Sequence, residues 1–288
     1  MKIAIVTDTN SGISSDEAEK EGIYLLPMPV IIDGKSYLER TDIHTEQLYE
    51  AMEKECSIST SQPSPESVTK LWDSILEQGY DEIVHIPMTS GLSGSCQTAR
   101  MLAGEYEGKV FVADNHRISV TQREAVLEAK RMADAGNTAK EIQELLEKNA
   151  FLASIYLTVE SLKYLQKGGR LSPSAAMLGT ILNIKPILSI QGEKMDAFAK
   201  VRGMKKCESR MIEAIQNDIA SRFADVSPEK IRLHVAGTLQ QTEDIMRWKD
   251  SVQGAFPMTQ VEYFPLPCSI ATHVGPGCLG IAVSVVEY

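Results

Sequence analysis

Hydroxyl and glycine residues concentrate in two short stretches, Thr60-Ser61-Gln62-Pro63-Ser64-Pro65 and Thr89-Ser90-Gly91-Leu92-Ser93-Gly94-Ser95. The first stands before a helical pattern. Hydroxyls and free backbone N–H groups at a helix entry suit an anion, and the same residues serve as ordinary caps. The second follows an apolar run that ends at Pro87, and in an open α/β sheet ligands bind beyond the carboxyl ends of the strands. Its glycines let the backbone approach a ligand closely, with Ser93 between them placed to donate a hydrogen bond; the alternative is a tight turn into a helix starting near Ser95. Two further segments carry single functional groups. Leu162 to Leu171 reads as a short helix stopped by Gly168-Gly169, after which Arg170 is free to pair with a carboxylate or phosphate, or to lie solvated. His273-Val274-Gly275-Pro276-Gly277 reads as a rigid turn with one imidazole.

Other chemistries fit less well. Gly91-Leu92-Ser93-Gly94-Ser95 falls one residue short of a Gly-x-Ser-x-Gly nucleophile elbow, because Ser95 stands where the last glycine belongs. A serine hydrolase using Ser93 and His273, with Asp114 or Asp196 as the acid, is the alternative this leaves. Gly34-Lys35-Ser36 resembles the end of a phosphate-binding loop, but Pro29 occupies the place of the first glycine. The five histidines (His44, His85, His116, His234, His273) never reach metal-ligand spacing with one another or with a cysteine. No dinucleotide fingerprint is present, so neither metal nor cofactor is expected.

The elements that must position these loops alternate along the first half of the chain. Ile3 to Thr7, Glu82 to Pro87, Val110 to Asp114 and Ser154 to Val159 have the character of buried strands. Between them, Ser14 with Glu17, Ser64-Pro65 and Thr138 with Glu141 mark helix starts. Such alternation predicts a parallel sheet with helices on both faces. The second half reads differently. Ile187 to Ile190 and Asp196 to Val201 flank a turn at Gln191-Gly192 and predict a hairpin. A helix over Met204 to Phe223, a strand over Ile231 to Ala236, a helix near Thr242 to Val252 and strands over Met258 to Phe264 and Leu279 to Val286 complete it. The expectation is two α/β domains, residues 1–155 with a mainly parallel sheet and 156–288 with a mixed sheet, packed tightly together.

At 288 residues the chain can bury a large core. A net charge of −10 repels phosphate backbones, which argues against nucleic acid as a partner. The five cysteines are scattered and never form Cys-x-x-Cys, as befits reduced thiols. The opening residues turn polar too soon for a signal peptide, and no apolar run approaches the ~20 residues of a membrane span. A cytoplasmic protein without stable membrane insertion is expected, and a monomer.

Taken together and in order, the four loops resemble the DegV family of fatty-acid-binding proteins. Thr60-Ser61-Gln62-Pro63, Ser90-Gly91-Leu92-Ser93-Gly94, Gly168-Gly169-Arg170 and Leu182-Asn183-Ile184-Lys185-Pro186-Ile187-Leu188 carry the likeness, and Val6-Thr7-Asp8 and His273 to Gly277 fit it. The resemblance implies a ligand cleft between two α/β domains and one long-chain fatty acid held by its carboxylate. It assigns the ligand contacts to Thr60 or Ser61, Ser93 and Gly94, and places Arg170 and His273 near the mouth as head-group or partner contacts. It further implies a non-enzymatic carrier that presents its acid to a separate ATP-dependent fatty acid kinase, which forms the acyl phosphate. A carrier of another acidic lipid without a kinase is a further alternative. The sequence departs from the family pattern at Asp8-Thr9-Asn10, Ser95-Cys96, Asp114 to Arg117 and Thr121 to Arg123, all at the edges of the expected pocket.

Overall fold

The computed structural model describes residues 1–177 and 184–288. Leu182 and Asn183, the start of one of the motifs above, lie outside the described residues.

A four-stranded, wholly parallel sheet runs in the order Ile23–Leu26, Ile3–Asp8, Glu82–Ile86, Val110–Val112. Its strands alternate large apolar side chains to both faces. Ile5, Val84 and Ile86 pack on the helices Val120–Asp134 and Ala139–Lys148, whereas Ala4, Val6 and Ile83 meet Pro65–Glu77 and Ser95–Ala103. Burial on two sides explains why these strands are nearly continuous apolar runs. The predicted helix starts have the expected chemistry. Ser64 accepts from the Ser67 N–H with Pro65 at the first helical position, and Thr138 and Glu141 form a capping box.

The second large sheet has six strands in the order Asp196–Arg202, Ile184–Ile190, Ala153–Thr158, Leu279–Val285, Ile231–Gly237, Glu262–Pro265. Every pair is antiparallel except the last, which is parallel, so the sheet is mixed as the sequence predicts. Ala153–Thr158 belongs wholly to this sheet. One face is covered by Met204–Ala220 and Thr242–Ala255, with Met211, Ile215 and Trp248 fully buried between. The other face carries Leu157, Leu188, Ile190, Ala236 and Ala282, and packs on Met28, Met88, Leu92, Ile118 and Val120 from the first half of the chain. That interface holds the candidate site.

A third sheet was not foreseen. Lys35–Leu38, Pro29–Ile32 and Ile58–Thr60 pair antiparallel and deliver Thr60 at a strand end. Asp33 and Gly34, both at positive φ (48° and 82°), make the two-residue turn of its hairpin. Asp-Gly between apolar runs is a hairpin signal, and it lies directly beside the Gly34-Lys35-Ser36 that resembled a phosphate loop. The segment around His273 also differs from the sequence reading. His273 is not on a turn but in the last turn of the helix Cys268–Val274, which Gly275 ends at φ 72°.

Candidate functional site

The head of the site is a chamber that Thr60, Ser61, Ser93, Arg170 and His273 line together, along with Asn10 and Ser269. Residues from separate strand, loop and helix segments, more than 200 positions apart, therefore meet at one place. Gly94 lies in an adjoining open cleft with Ser93, Arg170 and Lys194. Ser93 follows the parallel sheet's Glu82–Ile86 strand, and Gly94 forms the N-terminal cap of Ser95–Ala103.

Two hydroxyls line the chamber, each with a hydrogen-bond partner. Thr60 Oγ1 stands 2.8 Å from His273 Nε2. Burial first, and Arg170 second, lower the His273 pKa to about 4, so the imidazole is neutral near pH 7. With its proton on Nε2 the ring donates to Thr60, and the threonine's own hydrogen is left for a ligand. Ser93 Oγ likewise accepts from the Ser95 N–H at 3.2 Å and keeps its hydrogen. Ser61 differs. Its exposed side chain turns to the Gln62 carbonyl at 3.2 Å.

The loop bearing Ser93 is clamped from the mixed sheet. Thr89 Oγ1 donates to the Gly192 carbonyl at 2.7 Å and accepts from the Gly91 N–H at 3.1 Å. A Cβ on Gly91 would lie 2.8 Å from the Glu193 Cα, so only glycine admits the hairpin tip there. Gly168 plays a matching part under His273, where a Cβ would lie 2.4 Å from Nδ1. Below the chamber the buried carboxylate of Glu39 accepts from Thr9 Oγ1 at 2.6 Å and from Ser269 Oγ at 2.8 Å, fixing the helix that carries His273 to the N-terminal half. Asp8, buried beneath the same loops, has its pKa raised to about 6 by desolvation, against hydrogen bonds from Met88, Gln122 and Asn10 that lower it.

Beyond the polar end lies a second chamber lined almost entirely by apolar groups, among them Ile155, Leu157, Ile190, Ala236, Leu266 and Ala282. The two chambers share Ile118, Met195, Ile270 and Val274. Their volumes are about 60 and 50 Å³. Met28, Met88 and Met195, flexible and polarizable, line the polar chamber or the waist. Met88, beside the Ser93 loop, is thus a lining residue, whereas Met101 and Met177, also next to the motif loops, are 68% and 83% exposed.

The hydrolase geometry is not formed. His273 engages Thr60 through Nε2 and packs its Nδ1 on Gly168. Asp114 accepts from the Ser90 and His116 backbone, away from His273. Among the described residues no group of three or more His, Cys, Asp or Glu side chains is placed to hold a metal ion, and no helix is long and apolar enough to cross a membrane. Sequence reasoning missed Asn10, Met28, Met195, Ser269 and Ile270. Of these, only Asn10 lay in a stretch already marked as unusual.

The chain belongs to the DegV family. The family model described as "Uncharacterised protein, DegV family" matches residues 2–286. A DegV domain-containing protein of Streptomyces coelicolor is 31% identical over 98% of both chains, and one of Listeria monocytogenes is 32% identical over 99% of both. Among solved structures, a fatty-acid-binding DegV family protein from Thermus thermophilus superposes with a TM-score of 0.88 at 26% identity, covering 99% of this chain and 100% of that one. DegV of Bacillus subtilis, a fatty acid binding protein, gives 0.85 at 27% identity over 99% of each.

Proposed function

We propose that this protein binds one long-chain fatty acid, with the carboxylate at Thr60 and Ser93 and the tail in the apolar chamber. The observation that carries this reading is the shared lining of the two chambers: an end lined by the Thr60 and Ser93 hydroxyls passes into an apolar end with scarcely any polar surface. That is the polarity profile of a fatty acid. The two solved relatives above, described as fatty-acid-binding, support the choice of ligand. Two domains dividing near residue 155, with the acid between them, are the organisation the reading uses.

Each buried methylene is worth about 0.8 kcal/mol, so a sixteen-carbon tail offers on the order of 12 kcal/mol gross. Association and ordering costs remove several kcal/mol and still leave tight binding. The tail exceeds the open volume of the chambers, so Met28, Met88 and Met195 re-pack around it. The hydroxyls set orientation, each hydrogen bond to the charged group contributing roughly 1.5–3 kcal/mol. Neutral donors hold the carboxylate without forming an ion pair, so its oxygens stay available to an incoming phosphoryl group. The second half of the reading is therefore a carrier that hands its acid to a separate ATP-dependent fatty acid kinase. Its support is the family resemblance and the position of Arg170, which lines the head chamber, the open cleft beside it and the groove behind His273.

Native mass spectrometry of the purified protein, followed by solvent extraction and lipid identification, tests the first half. One fatty acid per chain is expected. A mass that is ligand-free and stays unshifted on adding palmitate or oleate overturns the reading.

A further inference from the structure

We propose that the head chamber selects fatty acids carrying a hydroxyl on the second or third carbon, and that the carboxamide of Asn10 recognises that hydroxyl. The inference rests on the carrier reading and names the class of acid that the same site takes. Asn10 and Ser269, both buried, line the head chamber, and neither is needed to hold the carboxylate at Thr60 and Ser93. A plain acyl tail offers them nothing but methylenes, and a buried amide that faces hydrocarbon without a partner is unfavourable.

The buried polar cluster around Asn10 is one hydrogen short. Ser269 Oγ stands 2.8 Å from Asn10 Oδ1 and 2.8 Å from Glu39 Oε2, and a hydroxyl has a single hydrogen to give. A carboxylate is the stronger acceptor, so that hydrogen goes to Glu39. Thr9 Oγ1 cannot make up the deficit. Its own hydrogen goes to the same Glu39 oxygen at 2.6 Å, while it accepts from the Met28 N–H at 3.1 Å. Asn10 Oδ1 is therefore left without a donor among the described residues, facing the lone pairs of the Ser269 oxygen. At the other end of the carboxamide, Nδ2 points a hydrogen at Met88 Sδ, 3.0 Å away, and a thioether is a weak acceptor. Nδ2 also lies close to the Asp8 carboxyl, which holds the amide in place. An open acceptor beside a poorly used donor is complementary to a hydroxyl, which donates and accepts at one atom. The ligand's hydroxyl gives its hydrogen to Oδ1 and receives the one that now faces Met88, whose flexible side chain can yield. Position fixes the carbon. Asn10 shares a chamber with Thr60 and Ser93 but does not line the apolar chamber beyond, so only the first few carbons after the carboxylate come within its reach.

The test is calorimetric titration of the delipidated full chain with palmitate and with palmitate hydroxylated at the second, third or twelfth carbon, both enantiomers of each. The best of the acids hydroxylated at the second or third carbon should bind about fivefold or more tighter than palmitate, since a site built to pair a hydroxyl discriminates against the analogue that lacks it. Hydroxylation at the twelfth carbon should weaken binding relative to palmitate, because that hydroxyl is buried among apolar groups. Asn10→Leu, close in size and without a polar atom on its side chain, should abolish the preference for the hydroxylated acid. Palmitate binding as tightly as every hydroxylated acid overturns the proposal and leaves the carrier reading standing. A preference that survives in Asn10→Leu, or one that is as strong for the twelfth carbon, assigns the hydroxyl to another group and also overturns it. Should Asn10→Leu fail to fold, the order of affinities in the wild-type chain decides by itself. If no acid binds, palmitate included, the carrier reading falls and the proposal falls with it.

Discussion

Thr60 and His273 are 213 residues apart in sequence, and their side chains meet at 2.8 Å, Oγ1 to Nε2. The contact joins the small antiparallel sheet to the C-terminal helix and orients the hydroxyl proposed to hold the ligand. Thr60→Val and His273→Ala should each weaken fatty-acid binding, and the double variant should lose less than the sum of the two, because both remove one interaction. Calorimetric titration of the four proteins with palmitate checks this. Ser61→Ala, at an exposed side chain, should change the affinity by no more than about twofold.

Ser93 lines the same chamber and is proposed to donate to the carboxylate. Ser93→Ala removes one hydrogen bond to a charged group and should weaken binding by about tenfold or more. Its melting temperature without ligand should stay close to that of the parent. An unchanged dissociation constant would place the carboxylate elsewhere.

Gly168 sets the position of the imidazole. Gly168→Ala places a methyl group 2.4 Å from His273 Nδ1, and the ring must shift by about an ångström. Overpacking of this kind costs about 1–3 kcal/mol of stability. The variant should also lose fatty-acid affinity, and that second loss should disappear in a His273→Ala background. Thermal melts and titrations on both backgrounds separate the two effects.

Acid should destabilise the protein in a defined window. Burial lowers the pKa of His273 to about 4 and of His85 to about 3, from an ordinary 6.5. The unfolded chain therefore binds more protons than the native state below pH 6.5, and stability falls as pH drops through that range. Asp8 acts in the opposite sense. Its native pKa of about 6, against 3.8, makes the folded state the better proton binder between those values. Two groups outweigh one, and the three together should cost roughly 3 kcal/mol between pH 7 and pH 4.5. Urea unfolding at several pH values measures the slope. His85→Phe, which keeps the edge-on packing against Trp72 at 5.5 Å and removes two ring nitrogens that have no partner among the described residues, should flatten it.

Ala282 faces the apolar chamber from the strand Leu279–Val285. Ala282→Leu adds three carbons to that space and should shift the preference toward shorter acids. Competition between saturated acids of ten to eighteen carbons, read by lipid extraction from an equimolar mixture, reports the shift. An unaltered length profile would mean that the tail does not pass Ala282.

Much of this arrangement was legible in the sequence, for reasons particular to the residues concerned. The parallel strands read clearly because both faces are buried and their runs are unbroken. The helix starts read clearly because Ser64 and Thr138 use local capping chemistry. Thr60, Ser93, Arg170 and His273 were named singly by residue type, and their order along the chain suggested one site. The small sheet escaped notice because Lys35–Leu38 is largely exposed and lacks an apolar signature. Ile118, Met195 and Ile270 were invisible as lining residues, since a side chain at a cavity wall and one in a solid core share the same composition. Glu39 gave no signal either: it is a charged residue in a polar stretch, and only the fold reveals the three donors converging on it from Thr9 and Ser269.

The mixed sheet turns its small residues, Ala236, Gly280 and Ala282, toward the first half of the chain. Large side chains there would have filled the space and made a self-sufficient core. With small ones, the proposed acyl tail would supply the missing apolar mass, and the cargo would become a component of the folded protein. By mass action, a ligand at a hundred times its dissociation constant adds about 2.7 kcal/mol to the folding equilibrium. Loading and conformational survival are then coupled quantities, so the abundance of the intact carrier in a cell would itself report the supply of free fatty acid.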